Sequence, residues 1–312
     1  LKGKQGKVLQ ILLFIPTFLN RLKKFSSNQN KFHPMRLLLL MALFAFSCKK
    51  NSNGNNAPVA FRETRTISYN NIQVDVVIDK PALNTVDVLV VFHGTVLYDS
   101  NILTAANGTL DEFKGILDRT DMMIVSVAYP GENKLLGDNI VQAEAALLWV
   151  KNKAGSELGI TVNKVFLGGH SQGGYLVTRL NTLHATNGVI ANAPGPLNLV
   201  YRCQLEENGQ IASGSHCTRL RNVYGTTSTN PDAYFQRSLL NFTDGFKSDI
   251  LFVQGMADGQ IQLYSWPIFR QEVESCSNCR SSRFVEIPGG EHTSLFDSDA
   301  ARAEFNSFIN SH

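Results

Sequence analysis

One serine, one histidine and one aspartate carry the chemistry that can be read from this sequence. The stretch "FLGGHSQGGYL", residues 166–176, sets Ser171 among glycines. A serine hydroxyl is a poor nucleophile at its ordinary pKa. It needs a base within hydrogen-bond reach, an acid to orient that base, and donors for the oxyanion. A turn tight enough to lift a serine for attack leaves no room for side chains two positions away. Gly169 and Gly173 meet that demand as G-x-S-x-G around Ser171. Apolar residues precede the turn, and Leu176, Leu180 and Leu183 follow at helical spacing, so the reading is strand, turn, helix. Gly168 is expected to end the strand, and Gly174 to let the helix approach the sheet.

The base follows by elimination among seven histidines. His33 lies near the amino terminus and His312 is the last residue. His170 is inside the turn, where its side chain is expected to point away from the nucleophile. His93 ends a strand beside Gly94, His184 closes the helix after the turn, and His216 falls in a long stretch without strands. His292 follows a strand in "FVEIPGGEH", on a glycine-rich loop that can reach the carboxyl edge of a sheet. The acid should lie between serine and histidine in chain order. Asp258, in "ILFVQGMADGQI", stands just after a strand. Asp232 and Asp244 lie in the stretch without strands, and Asp249 precedes its strand at the wrong edge. Asp258 could instead cap a helix around Gln262 to Val273, and the two roles are compatible only if its carboxylate faces His292. For the oxyanion, the N–H of Gln172 is one expected donor. The second should come from the loop after "DVLVVFHG", with Thr95 the first choice and Val96 the next.

These groups need a sheet to hold them. "TISYNNIQVDVVID" (66–79) alternates with period two and predicts an antiparallel strand pair. The runs at 87–94 and 121–130 are continuously apolar, as buried parallel strands are, and 163–169, 188–194, 249–255 and 283–289 read as further strands. Residues 139–154 keep Ile140, Ala143, Leu147 and Val150 on one helical face, with Asp138 as a plausible N-cap. A last helix starts near Ser298 or Asp299 and aligns Ala301, Phe305, Phe308 and Ile309. Alternating strands and helices predict an α/β fold, a mostly parallel sheet covered on both faces. Residues 196–247 break the rhythm. A stretch that long is unusual in a compact domain unless it is functional, and it is read as a cap inserted over the carboxyl ends of the strands.

"GGHSQGGY", the "HG" after an apolar strand, "GMADGQI" and "GGEH" together resemble the α/β-hydrolase superfamily, most closely its esterase and prolyl oligopeptidase-like branches. The resemblance spans about residues 65 to 310. It implies an eight-stranded sheet and a Ser171–His292–Asp258 triad that hydrolyses carboxylic esters through an acyl-enzyme, with no cofactor and no metal. The chain lacks the HGGG run of one lipase group, so the oxyanion loop is the shorter kind. It also lacks the amino-terminal propeller of the oligopeptidases. A serine peptidase with the same triad is the alternative, and a non-catalytic binding protein on the same scaffold is another.

Charge and cysteines set the surroundings. The net charge is +3. Residues 1–62 hold eleven of the twenty-nine Lys and Arg and no Asp or Glu, which leaves residues 63–312 with eighteen basic and twenty-six acidic side chains. That acidic balance argues against a nucleic-acid partner. Met35 and Arg36, the apolar run Leu37 to Phe46, and Ser47-Cys48 read as a signal peptide, 35–48, and resemble a bacterial lipoprotein signal in which Cys48 is lipidated. Ala45 stands where such signals usually have Leu. Residues 1–34 are expected to be an upstream extension, 49–62 an Asn-rich disordered tether, and 63–312 the folded domain. The expected setting is the periplasm or outer surface of a bacterium, with the membrane reached only through the anchor at Cys48. Four further cysteines, Cys203, Cys217, Cys276 and Cys279, suggest two disulfides in an exported chain. Three connectivities are open, and pairing nearest neighbours gives Cys203–Cys217 and Cys276–Cys279. Only one CxxC is present, which counts against zinc. The expected partner is an ester, small or linked to a polysaccharide.

Overall fold

The computed structural model describes residues 57–312. The expected extension, the signal with Cys48 and residues 49–56 of the expected tether lie outside the described residues.

Strands β1 (Phe61–Tyr69) and β2 (Ile72–Lys80) form an antiparallel hairpin. Asn70 and Asn71 make its two-residue turn, with φ of 48° and 65°. That left-handed pair favours a hairpin, and Asn tolerates it better than most residues. β1 begins inside the span expected to be tether, because Arg62 is held there by Asn107 and by an ion pair to Asp111. β3 (Thr85–Phe92), β4 (Met122–Ala128), β5 (Thr161–His170), β6 (Gly188–Asn192), β7 (Ile250–Gly255) and β8 (Ser282–Ile287) complete one eight-stranded sheet in the order β1-β2-β4-β3-β5-β6-β7-β8. β4 to β8 pair in parallel, and β2 joins β4 antiparallel. β5 runs through Gly168 to His170, so Gly168 does not end the strand as expected. A Cβ there would stand 2.9 Å from the Phe113 ring, which is the close approach that requires glycine.

The continuous apolar runs are explained by burial on both faces. In β3, Val88, Val90 and Phe92 enter one core, and Leu89 and Val91 enter the other. Helix α1 (Ile102–Ile116) and the last helix, α10 (Asp299–Ser311), cover the second face with Leu110, Phe113, Phe305 and Phe308. The first face is covered by α2 (Ile140–Asn152), α4 (Gln172–Leu183) and α8 (Gln260–Glu274), through Leu147, Leu176, Leu180, Trp266 and Phe269. The short helices α3 (Ala154–Leu158) and α9 (Ser294–Asp297) precede β5 and α10. Ser298 caps α10, its hydroxyl accepting from Ala301 N–H. Asp138 does not cap α2. Its carboxylate accepts from Arg237 at 2.7 Å instead, and Asn139 takes the N-cap position without a side-chain bond.

Between β6 and β7 the chain forms three α-helices, α5 (Leu199–Glu207), α6 (Ser215–Tyr224) and α7 (Pro231–Phe235), a 3-10 turn at Leu239–Asn241, and no strand. Cys203, Cys217, Leu220, Tyr234 and Leu239 are buried and join the core beneath them. Cys203 is bonded to Cys217, with Cα atoms 5.3 Å apart, which staples α5 to α6. Cys276 is bonded to Cys279, with Cα atoms 5.7 Å apart. Both are the nearest-neighbour pairings. No helix among the described residues is long and apolar enough to cross a membrane.

Candidate active site

Ser171 stands between the end of β5 and the start of α4 with φ 55° and ψ −115°. A non-glycine residue at such a φ is strained and persists only where its surroundings hold it. Its N–H donates to Asn192 O at 2.9 Å, and its carbonyl accepts from Tyr175 and Gly195 N–H at 3.0 and 3.1 Å. The flanking glycines are sterically obligatory. A Cβ on Gly169 would lie 2.2 Å from Gly173 O, one on Gly173 would lie 2.0 Å from Phe92 O, and one on Gly174 would lie 2.9 Å from Pro194 Cα. The turn is therefore wedged between β3 and the end of β6. The N–H of Gln172 is in the first turn of α4, where no intrahelical acceptor exists and the helix dipole is positive.

Asp258 and His292 are brought together by two interlocked loops. Ala257 N–H donates to Gly290 O at 2.7 Å, and Met256 N–H to Ile287 O at 3.0 Å. The loops approach so closely that a Cβ on Gly255 would lie 2.0 Å from Glu291 O. Asp258 Oδ2 then accepts from His292 Nδ1 at 2.8 Å and from Gln254 Nε2 at 2.9 Å, while Oδ1 accepts from Gly259 N–H at 2.6 Å. Burial pushes the Asp258 carboxyl up, but the His292 and Gln254 hydrogen bonds outweigh it and hold it below the usual range. An ionised carboxylate only accepts, so Nδ1 of His292 carries a proton and Nε2 of the neutral ring keeps a free lone pair. Asp258 does not cap α8, whose N-cap is Gly259.

Ser171, His292, Asp258 and Thr95 line one pocket of ≈ 200 Å³, together with Gly195, Leu197, Arg202, His216 and Gln262. Among the described residues no hydrogen bond joins Ser171 Oγ to the His292 ring; such contacts are often loose without substrate. Gly94 brings the loop after β3 against the turn, since a Cβ there would be 3.5 Å from Ser171 Cβ. His93 fixes that loop. Its ring stacks on Tyr129 at 4.0 Å, its Nδ1 bonds Gly94 O at 2.7 Å, and Tyr129 donates to its carbonyl.

His170 does not point away from the site, as its position in the turn suggested. Its ring meets His292 edge to face at 4.9 Å and Phe296 at 5.7 Å, and its Nδ1 takes a hydrogen bond from Asn192 at 2.9 Å. Burial, and then the neighbouring His292, push its pKa down to about 4, so a neutral ring packs against His292. Helix α6 also brings His216 to the pocket, and α5 brings Arg202. The remaining histidines among the described residues lie elsewhere: His184 bonds Glu144, and His312 bonds Asp249.

No family model matches the sequence, and no curated protein matches it. Solved structures do. Est1E from Butyrivibrio proteoclasticus superposes with a TM-score of 0.57 at 14% identity, over 80% of this chain and 98% of that one. A thermostable esterase from Pseudomonas putida ECU1011 gives 0.58 at 18% identity, over 80% and 81%. The chain has the α/β-hydrolase fold. An acylaminoacyl peptidase from Pyrococcus horikoshii shares that fold at a TM-score of 0.58 and 14% identity, over 80% of this chain and 41% of that one. Between β6 and β7, Asn198, Arg202 of α5 and His216 of α6 line the pocket with Ser171.

Proposed function

We propose that the protein is an exported serine hydrolase that cleaves carboxylic esters. The observation that carries this reading is the 2.8 Å bond between Asp258 and His292 in the pocket that also presents the strained Ser171. His292 Nε2 takes the hydroxyl proton as Ser171 Oγ attacks the acyl carbonyl. Asp258 holds the ring in that tautomer and stabilises the imidazolium. The N–H groups of Gln172 and Thr95 stabilise the oxyanion, His292 protonates the departing alcohol, and water releases the acid from the acyl-enzyme. The pocket volume favours short acyl groups. Esterases among the structural neighbours support the class, and a carbohydrate esterase from gut microbiota is one of them. Two disulfides support export, with anchoring through Cys48. Replacing Ser171 by Ala should abolish hydrolysis of p-nitrophenyl butyrate; retained turnover would refute the assignment. The acylaminoacyl peptidase neighbour keeps a second reading open, and acylaminoacyl anilides assayed beside aryl esters separate the two.

A further inference from the structure

The wall of the pocket formed by the insertion contains two polar side chains that the proposed chemistry does not use. Arg202 precedes Cys203 on α5 and His216 precedes Cys217 on α6, so the disulfide between those cysteines sets the two side by side. Both line the pocket with Ser171 and His292. Arg202 is the only Lys or Arg among the described residues that do so. Its Nε donates to Glu206 Oε1 over a long 3.4 Å, while Glu206 Oε2 is taken by Gly214 N–H at 2.9 Å. The terminal nitrogens of Arg202 have no hydrogen-bond partner among the described residues. Both ring nitrogens of His216 are shielded from water and have no partner either. A buried N–H without an acceptor is destabilising, so the wall lacks a polar group that a ligand could supply.

Asp258, Gln262 and Asn198, which also line the pocket, have partners of their own. Asp258 is occupied by His292, Gln254 and Gly259, Gln262 donates to Pro194 O and Gln254, and the Asn198 side chain caps α5. We infer that Arg202 and His216 form a subsite for a carboxylate on the substrate, so that the enzyme prefers esters bearing a free acid group to neutral esters of the same length. A guanidinium fork matches a carboxylate in plane and charge, and neutral His216 adds one N–H donor. Burial, with Arg202 and Arg219 nearby, holds His216 neutral by lowering its pKa to about 4. This inference deepens the ester-hydrolase reading and rests on it.

The acid group could belong to the acyl or to the alcohol half, and matched substrates separate the two. Monoethyl glutarate against ethyl pentanoate tests the acyl side. The butyrate ester of 4-hydroxybutanoate against butyl butyrate tests the alcohol side. The purified protein should prefer the acidic member of one pair by about 10- to 100-fold in kcat/KM. Arg202→Gln should erase that ratio, chiefly through KM. Arg202→Lys should restore part of it, because the charge returns without the fork, and His216→Phe should reduce it severalfold. No preference in either pair, or a loss in Arg202→Gln shared equally by acidic and neutral esters, overturns the subsite while leaving the esterase reading intact. If no ester is cleaved, the esterase reading fails, and calorimetry with glutarate decides the subsite. Binding that Arg202→Gln abolishes upholds it; no binding, or equal binding to both proteins, overturns it.

Discussion

The pocket has two walls built on different principles. The wall from the sheet edge holds Ser171, Asp258 and His292 by backbone: strands in register, loops bonded to each other, and glycines where any Cβ would collide. The other wall holds Arg202 and His216 on short helices linked by one disulfide, with Asn198 capping the first and Glu206 accepting from Gly214 N–H ahead of the second. The contrast suggests a division of labour. In the proposed function, chemistry would sit where the backbone fixes position, and selectivity where side chains can be exchanged without disturbing it.

Several perturbations break this contrast at different points. The largest effect is expected at the sheet edge. Asp258→Asn should lower kcat for p-nitrophenyl butyrate by about 10⁴-fold, because the amide favours the wrong tautomer of His292. Steady-state kinetics with circular dichroism would separate that loss from misfolding. Acid should act on both walls together. His93, His170 and His216 each have a pKa lowered from 6.5 to about 4 by burial. The unfolded chain therefore binds more protons than the folded one between those values, and stability falls as pH drops from 6.5 toward 4. The loss should be on the order of 1–3 kcal/mol for each histidine, read as a falling Tm across that window. Gly173→Ala should destabilise the fold by about 3 kcal/mol or more, since backbone on both sides leaves nowhere for the methyl to go. Chemical denaturation would measure it.

The disulfides give the smallest effects and the cleanest separation of the walls. Replacing Cys203 and Cys217 by Ser should cost about 3 kcal/mol, and replacing Cys276 and Cys279 about 2, because the second closes a shorter loop. The first double variant should also alter substrate selectivity, since it frees α5 from α6, and the second should not. Kinetics with the matched acidic and neutral esters would show the difference.

The same contrast explains what could be read from the chain alone. The central strands were legible because they are buried on both faces and must be continuously apolar, as Val88 to Phe92 is. Ser171, Asp258 and His292 were legible because the turn and the interlocked loops demand glycines, and those glycines mark the places. Helix α1 was not, because Asn107, Gly108, Thr109 and Gly115 lower its intrinsic propensity and the burial of Leu110 and Phe113 decides it. The support that His170 gives to His292 was hidden, because it depends on where β6 places Asn192. Arg202 and His216 looked like ordinary residues of a long insertion. The one signal that could have found them is that each immediately precedes a cysteine, so that pairing Cys203 with Cys217 also pairs their neighbours.

The central claim is that Ser171 is an activated nucleophile. A fluorophosphonate probe tests it directly, with the labelled residue located by peptide mass spectrometry. The account predicts one covalent adduct on Ser171, lost in Ser171→Ala and slowed strongly in His292→Ala. A folded protein whose Ser171 never labels, or that labels equally well without His292, would contradict it.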